Sequence, residues 1–200
     1  MRAPAKVEER YHDVLSRVAG RARLIAVSKA ATLADVRAIY ELGQRDLAEN
    51  RADALALRAA QMPADVRWHF IGNVQSNKLR VLRDLKPLVH SFDRADLVPR
   101  WPPGVPVLVQ VDFSGLAHRS GVPPQDARAL VEAAREAGID VRGLSTLPPK
   151  EGDPREAFRA LRTLRDELGL AELSMGMSAD FEAAIAEGAT MVRVGTALFS

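Results

Sequence analysis

The sequence predicts an α/β fold, a single-domain (β/α)₈ TIM-type barrel spanning residues 1–200 with an additional N-terminal helix, on three observations. Apolar strand-like runs recur at 24–28, 46–49, 67–71, 87–91, 106–112, 141–145, 172–175 and 190–194, and most precede a stretch of helical period. About eight strand-helix units in 200 residues is the arithmetic of a compact barrel. The turn after the first run, Val27-Ser28-Lys29-Ala30-Ala31, has no Gly, which disfavours the runner-up, an open doubly wound sheet with a dinucleotide turn.

The elements justify themselves in chain order. Val7, Tyr11, Val14, Leu15 and Val18 fall at helical spacing, so the chain opens with an amphipathic helix that ends near Gly20. Gln75-Ser76-Asn77-Lys78 opens a helix after the third run, and Pro102-Pro103-Gly104 and Pro148-Pro149 read as loops. Ala127, Leu130, Val131 and Ala134 mark a helix stopped by Gly138. Phe158, Leu161, Leu164 and Leu168 mark another stopped by Gly169. Pro124 and Pro154 stand where a first helical turn accepts them.

Composition excludes several classes of function. Lys plus Arg (28) barely exceeds Asp plus Glu (26), and the signs alternate along the chain, so no nucleic-acid surface is expected. With no Cys there is neither a disulfide framework nor a thiol nucleophile, which suits a reducing cytoplasm. No apolar run approaches the roughly 20 residues that span a bilayer, so no membrane partner is expected. His69, His90 and His118 lack metal-ligand spacing.

In a barrel, residues just after the strands meet at one face however far apart they lie in sequence. Lys29 is placed there, and a strand-end Lys that is partly desolvated can form a Schiff base with a carbonyl; the bland alternative is a solubilising charge. The other end of the chain favours chemistry. Ser174-Met175-Gly176-Met177-Ser178 follows the seventh run and Gly195-Thr196 the eighth, where such barrels often hold phosphate. Gly176 and Gly195 are expected to let the backbone approach an anion, and Ser178 and Thr196 offer hydroxyls. The alternative for Ser178 is capping of a helix starting at Ala179. Arg193, inside Met191-Val192-Arg193-Val194, is expected to point inward, toward either a structural salt bridge or a ligand's acceptor atom. His69 is either a buried His bonded to backbone or a ligand contact. No G-x-S-x-G turn surrounds Ser28, Ser145 or Ser178, so acyl transfer is disfavoured. Two readings stay open: an aldolase that captures a sugar-phosphate carbonyl, or a holder of pyridoxal phosphate.

Ala26-Val27-Ser28-Lys29, Ala48-Glu49-Asn50-Arg51, Trp68 through Lys78, Gly143-Leu144-Ser145-Thr146, Leu173 through Asp180 and Met191 through Phe199 closely resemble, in order and over nearly the whole chain, the pyridoxal phosphate homeostasis protein family. That family is built like the N-terminal barrel of alanine racemase. The resemblance implies that Lys29 carries pyridoxal 5′-phosphate as an aldimine, that Ser178, Gly195 and Thr196 hold the phosphate, and that Arg193 faces the pyridine nitrogen. It also implies that Asn50, His69, Ser145 and Met177 line the ring. The sequence departs from the family at Ala48, where Gly is usual, at Arg119, where Lys is frequent, and at Ser145, where Met is frequent.

Racemases of this fold take a second base, a Tyr, from an additional β-domain, whereas the tyrosines here, Tyr11 and Tyr40, fall in barrel helices. The resulting expectation is a non-catalytic, cytoplasmic, monomeric cofactor-binding protein. It would buffer pyridoxal phosphate or deliver it to apo-enzymes, with a weak racemase-like activity or a Schiff-base aldolase as the alternative.

Overall fold

The computed structural model describes residues 4–116, 119–149 and 151–200. His118 and Lys150 lie outside the described residues. Eight parallel strands close a barrel in chain order: β1 (Arg23–Val27), β2 (Asp46–Glu49), β3 (Arg67–Phe70), β4 (Leu88–Phe92), β5 (Val107–Val111), β6 (Val141–Thr146), β7 (Glu172–Ser174) and β8 (Met191–Val194). β1 pairs with β8 through Arg23↔Met191 and Ile25↔Arg193, which closes the ring. The helices are α1 (Pro4–Val18), α2 (Leu33–Glu41), α3 (Ala52–Ala59), α4 (Leu79–Leu85), α5 (Pro124–Glu136), α6 (Pro154–Glu167), α7 (Phe181–Ala186) and α8 (Thr196–Phe199).

Each apolar run of the sequence is one strand, displaced by at most one residue at an end. Parallel strands are covered on both faces, so they read as continuous apolar stretches rather than as alternations. The ends shift because sheet-like bonds outlast the strands: Ser28 N donates to Ala48 O at 2.9 Å and Ile71 N to Glu49 O at 3.0 Å. One unit departs from the regular pattern. After β4 the connection is a 3₁₀ helix, Ala95–Arg100, with Pro99 inside it and Trp101-Pro102-Pro103 behind it, a sequence that cannot propagate α-helical hydrogen bonds.

Most of the core lies between sheet and helices, where Phe158, Leu161, Leu144 and Val131 are fully buried. Helix starts are locally encoded. Thr32 and Asp35 form a reciprocal capping box on α2, and Pro124 and Pro154 open α5 and α6 as expected. α1 packs on α2 and α8, outside the barrel. Inside the barrel a smaller apolar layer, Ile25, Val27, Ala48, Leu88, Leu108 and Met191, shares the space with buried polar groups, among them Asp46, His69, His90, Ser174 and Arg193. Tyr11 and Tyr40 bond Gln44 and Asp65, the residues that lead into β2 and β3, and so lie toward the amino-terminal end of the barrel. Among the described residues no helix is long and apolar enough to cross a membrane.

Candidate functional site

The carboxyl ends of the strands surround a cavity of about 870 Å³. Of the residues anticipated from sequence, Lys29, Asn50, Ser145, Met177, Ser178, Arg193, Gly195 and Thr196 all line it; His69 does not.

Lys29 follows β1 in a turn that is held from below. Ser28, fully buried, donates from its hydroxyl to Glu49 Oε1 at 2.7 Å. Glu49 pairs with Arg58 Nε at 2.9 Å, and Arg58 Nη2 returns to the carbonyls of Ser28 and Ala31. Sequence reasoning missed Arg58, because a helical Arg on α3 shows no sign of reaching the β1 turn. The amine itself corrects an expectation. Lys29 is exposed rather than partly desolvated, because β1 stops two residues earlier and the side chain stands at the rim. Lys78, at the end of the 3₁₀ helix Ser76–Lys78, is half-buried and lines the same cavity.

At the ends of the last two strands, Ser178 Oγ accepts from Gly195 N at 3.4 Å and from Ala197 N at 3.1 Å. Ser178 therefore caps α8 and not a helix beginning at Ala179. α7 starts only at Phe181, and Asp180 takes the local turn by accepting from Met177 N at 2.6 Å. Gly176 also has another role than the one expected. Its φ is +90°, and a Cβ there would stand 2.5 Å from Ala184 Cβ, so it is required for packing on α7 rather than for approach to an anion. Ser178, Gly195 and Thr196 still gather two hydroxyls and a backbone amide in the lining of the cavity.

Arg193 lines the same cavity and is 6% exposed. Among the described residues it makes no salt bridge. Nη1 donates to Ser174 O at 2.7 Å and to Ser174 Oγ at 2.5 Å, and Nη2 donates to Thr146 O at 2.7 Å. A guanidinium has five N–H groups, so donors remain for a group in the cavity. Burial pushes Arg193 down to about 10, against a weaker upward pull from Asp180, and it stays charged at neutral pH.

His69 was expected at the cofactor ring and is one layer too deep. Its Nε2 meets Asp46 Oδ1 at 3.0 Å and its Nδ1 meets His90 Nε2 at 2.9 Å. It is a buried His with side-chain rather than backbone partners, because residue 69 of β3 points into the barrel below the mouth. His90 reaches the cavity instead, a contact that sequence reasoning missed. Ser145 donates to the His90 carbonyl. Gly72, in the β3 turn, packs on the Asn50 carbonyl so closely that a Cβ would fall 1.8 Å from that oxygen.

The chain matches the alanine racemase N-terminal domain family over residues 4–200. It is 41% identical to the pyridoxal phosphate homeostasis protein of Pseudomonas aeruginosa, covering 98% of this chain and 92% of that one. To the protein of the same name from Deinococcus radiodurans it is 40% identical, covering 92% and 91%. Among solved structures, PipY of Synechococcus elongatus with PLP bound superposes with a TM-score of 0.88 at 33% identity, covering 97% of this chain and all of that one. A lysine/ornithine decarboxylase of Vibrio vulnificus shares the fold at a TM-score of 0.80 and 16% identity, with 62% of its own chain covered. A closed eight-stranded barrel, a rim lysine that shares one cavity with Ser178, Gly195 and Thr196, and likeness along the whole length together make this chain a member of the pyridoxal phosphate homeostasis protein family, within the alanine racemase N-terminal domain class.

Proposed function

We propose that this protein binds pyridoxal 5′-phosphate covalently through Lys29 and serves to hold and deliver it rather than to catalyse a reaction of its own. The observation that carries the reading is the convergence, on one cavity, of a rim amine, a cluster of polar groups at Ser178, Gly195 and Thr196, and a buried guanidinium. These residues fit the group: an aldehyde for the amine, a phosphate for the donors and a ring nitrogen for Arg193. Lys29 would hold such an aldehyde covalently through its amine, with water as the group released. Asn50, Ser145 and Met177 border the space left for the ring.

When bound, the cofactor supplies an electron sink. Arg193 limits that sink, since a guanidinium donates to the ring nitrogen without surrendering its proton. Both described tyrosines are committed near the amino-terminal end, so neither stands at the mouth as a second base. The same reading makes the protein a cytoplasmic monomer whose partners are apo-enzymes that accept the cofactor.

The test is the visible spectrum of purified protein with pyridoxal phosphate, before and after borohydride, followed by peptide mass spectrometry. The expected outcome is an imine band that borohydride bleaches and an adduct on Lys29, both lost in Lys29→Ala while the fold persists. No imine band, or an adduct chiefly on Lys78, overturns the assignment.

A further inference from the structure

The barrel interior holds a line of polar groups of which the proposed site uses only Arg193. From the mouth inward it runs Arg193 on β8, Ser174 on β7, His90 on β4, His69 on β3 and Asp46 on β2, each 6% exposed or less. Arg193 Nη1 lies 2.5 Å from Ser174 Oγ, Ser174 Oγ 2.7 Å from His90 Nδ1, His90 Nε2 2.9 Å from His69 Nδ1, and His69 Nε2 3.0 Å from Asp46 Oδ1. At the far end Arg67, whose side chain is 62% exposed, donates to Asp46 Oδ2 at 2.5 Å.

Hydrogen-bonding capacity fixes the direction of this line. A carboxylate only accepts, so His69 carries its proton on Nε2. A neutral imidazole has one N–H, so His69 Nδ1 accepts, and the donor is the Nε2–H of His90. His90 Nδ1 must then accept as well, and its partner is the hydroxyl of Ser174, whose oxygen in turn accepts from Arg193. Every donor points toward Asp46. Burial holds both imidazoles neutral by pushing their pKa values down, His69 against the pull of Asp46 and His90 with the added repulsion of His69 and Arg193. The ends of the line carry opposite charges. Among the described residues Arg193 has no carboxylate in ion-pair contact, and the other partner of Asp46, Arg67, faces water.

We infer that Asp46 is the counter-charge of Arg193, relayed across the barrel interior by the aligned dipoles of His69, His90 and Ser174, and that these four are positioning residues that keep the guanidinium oriented with its remaining donors toward the cavity. The inference rests on the proposed function only for the identity of the acceptor that Arg193 meets.

The test uses the full chain without cofactor, isotope-labelled, in imidazole ¹H–¹⁵N correlation spectra at neutral pH. The expected result is the Nε2–H tautomer with a bare Nδ1 at both His69 and His90. An Nδ1–H at His90, or an imidazolium at either, overturns the direction and with it the relay. The end-to-end claim is read at the other terminus. Asp46→Asn should shift the Arg193 guanidinium ¹⁵N signals, and that shift should vanish in a Ser174→Ala background; an undiminished shift there overturns the relay. Pyridoxal phosphate affinity should follow the same non-additivity, each single substitution weakening binding roughly fivefold and the pair no more than either alone. Where a substitution prevents folding, the tautomers of the unsubstituted protein still decide. Because they are read without cofactor, they also separate failure of the relay from failure of the cofactor assignment.

Discussion

Ser178 is the residue on which the donor cluster turns, since its oxygen takes up both the Gly195 and the Ala197 amide. Ser178→Ala removes the cap of α8 and should cost about 1 kcal/mol in chemical denaturation. It should also weaken pyridoxal phosphate binding, as one hydroxyl donor is lost. Pyridoxal without its phosphate should bind at least about tenfold more weakly than the phosphate form, because each charge-assisted hydrogen bond given up contributes about 1.5–3 kcal/mol; equal affinities in a spectral titration would remove the anion site. Sequence placed Ser178, Gly195 and Thr196 at this cavity through their positions after the last two strands. It did not reveal that Ser178 serves α8, because a Ser ahead of a helical stretch reads as that stretch's own cap until the fold brings a second helix start beside it.

The turns between strands and helices are the elements that set the shape of the mouth. The β3 turn is pressed onto the β2 turn at Gly72, with no room for a Cβ against the Asn50 carbonyl. Gly72→Ala must displace one backbone from the other, and about 1–3 kcal/mol of destabilisation or more is expected, together with loss of cofactor affinity through the moved Asn50. Retention of both in denaturation and binding measurements would show that the two turns are not mutually fixed. The strands were legible because burial on both faces makes them apolar throughout. The missing α-helix after β4 was partly legible, since Pro102-Pro103-Gly104 announced a loop, but the seating of Trp101 behind it, with its ring edge-on to Phe92 and its Nε1 bonded to Val105 O, was not.

For the whole molecule, the polar barrel interior makes stability depend on pH. His69 and His90 are buried neutral, with pKa values below the usual 6.5. The unfolded chain therefore binds more protons below that pH, and stability is complete above 6.5 and falls as the pH drops. Both groups contribute to that fall, and His90→Gln should make it shallower in urea titrations between pH 6.5 and 5. For Asp46, burial pushes the carboxyl up, but hydrogen bonds from His69 and Arg67 outweigh it and hold it at about 2. Its contribution is present above its usual 3.8 and is lost only as the pH falls from there toward 2, a second and more acid phase. On the proposed function, the same interior ends at an Arg193 that would restrain the cofactor's electron sink. Racemisation of alanine and α-proton exchange at saturating amino acid should therefore run well below the ordinary enzyme range of about 1–10³ per second; turnover inside that range would make the protein a racemase.

The sequence by itself determined the strand order, the parallel barrel and the side of it that carries chemistry, because those follow from local period, burial pattern and the rule that strand ends share a face. It also placed Lys29 and Arg193 as residues that need partners. Only the tertiary structure decided who those partners are. Arg58 arrives from α3 to brace the Lys29 turn, His69 sinks below the mouth while His90 rises to it, and Arg193 bonds carbonyls and Ser174 instead of a carboxylate. Which layer of the barrel an inward side chain occupies depends on the stagger between neighbouring strands. That stagger, seen in Ala48↔His69 and His69↔Leu88, is fixed by closure of the whole ring and not by any single stretch of chain.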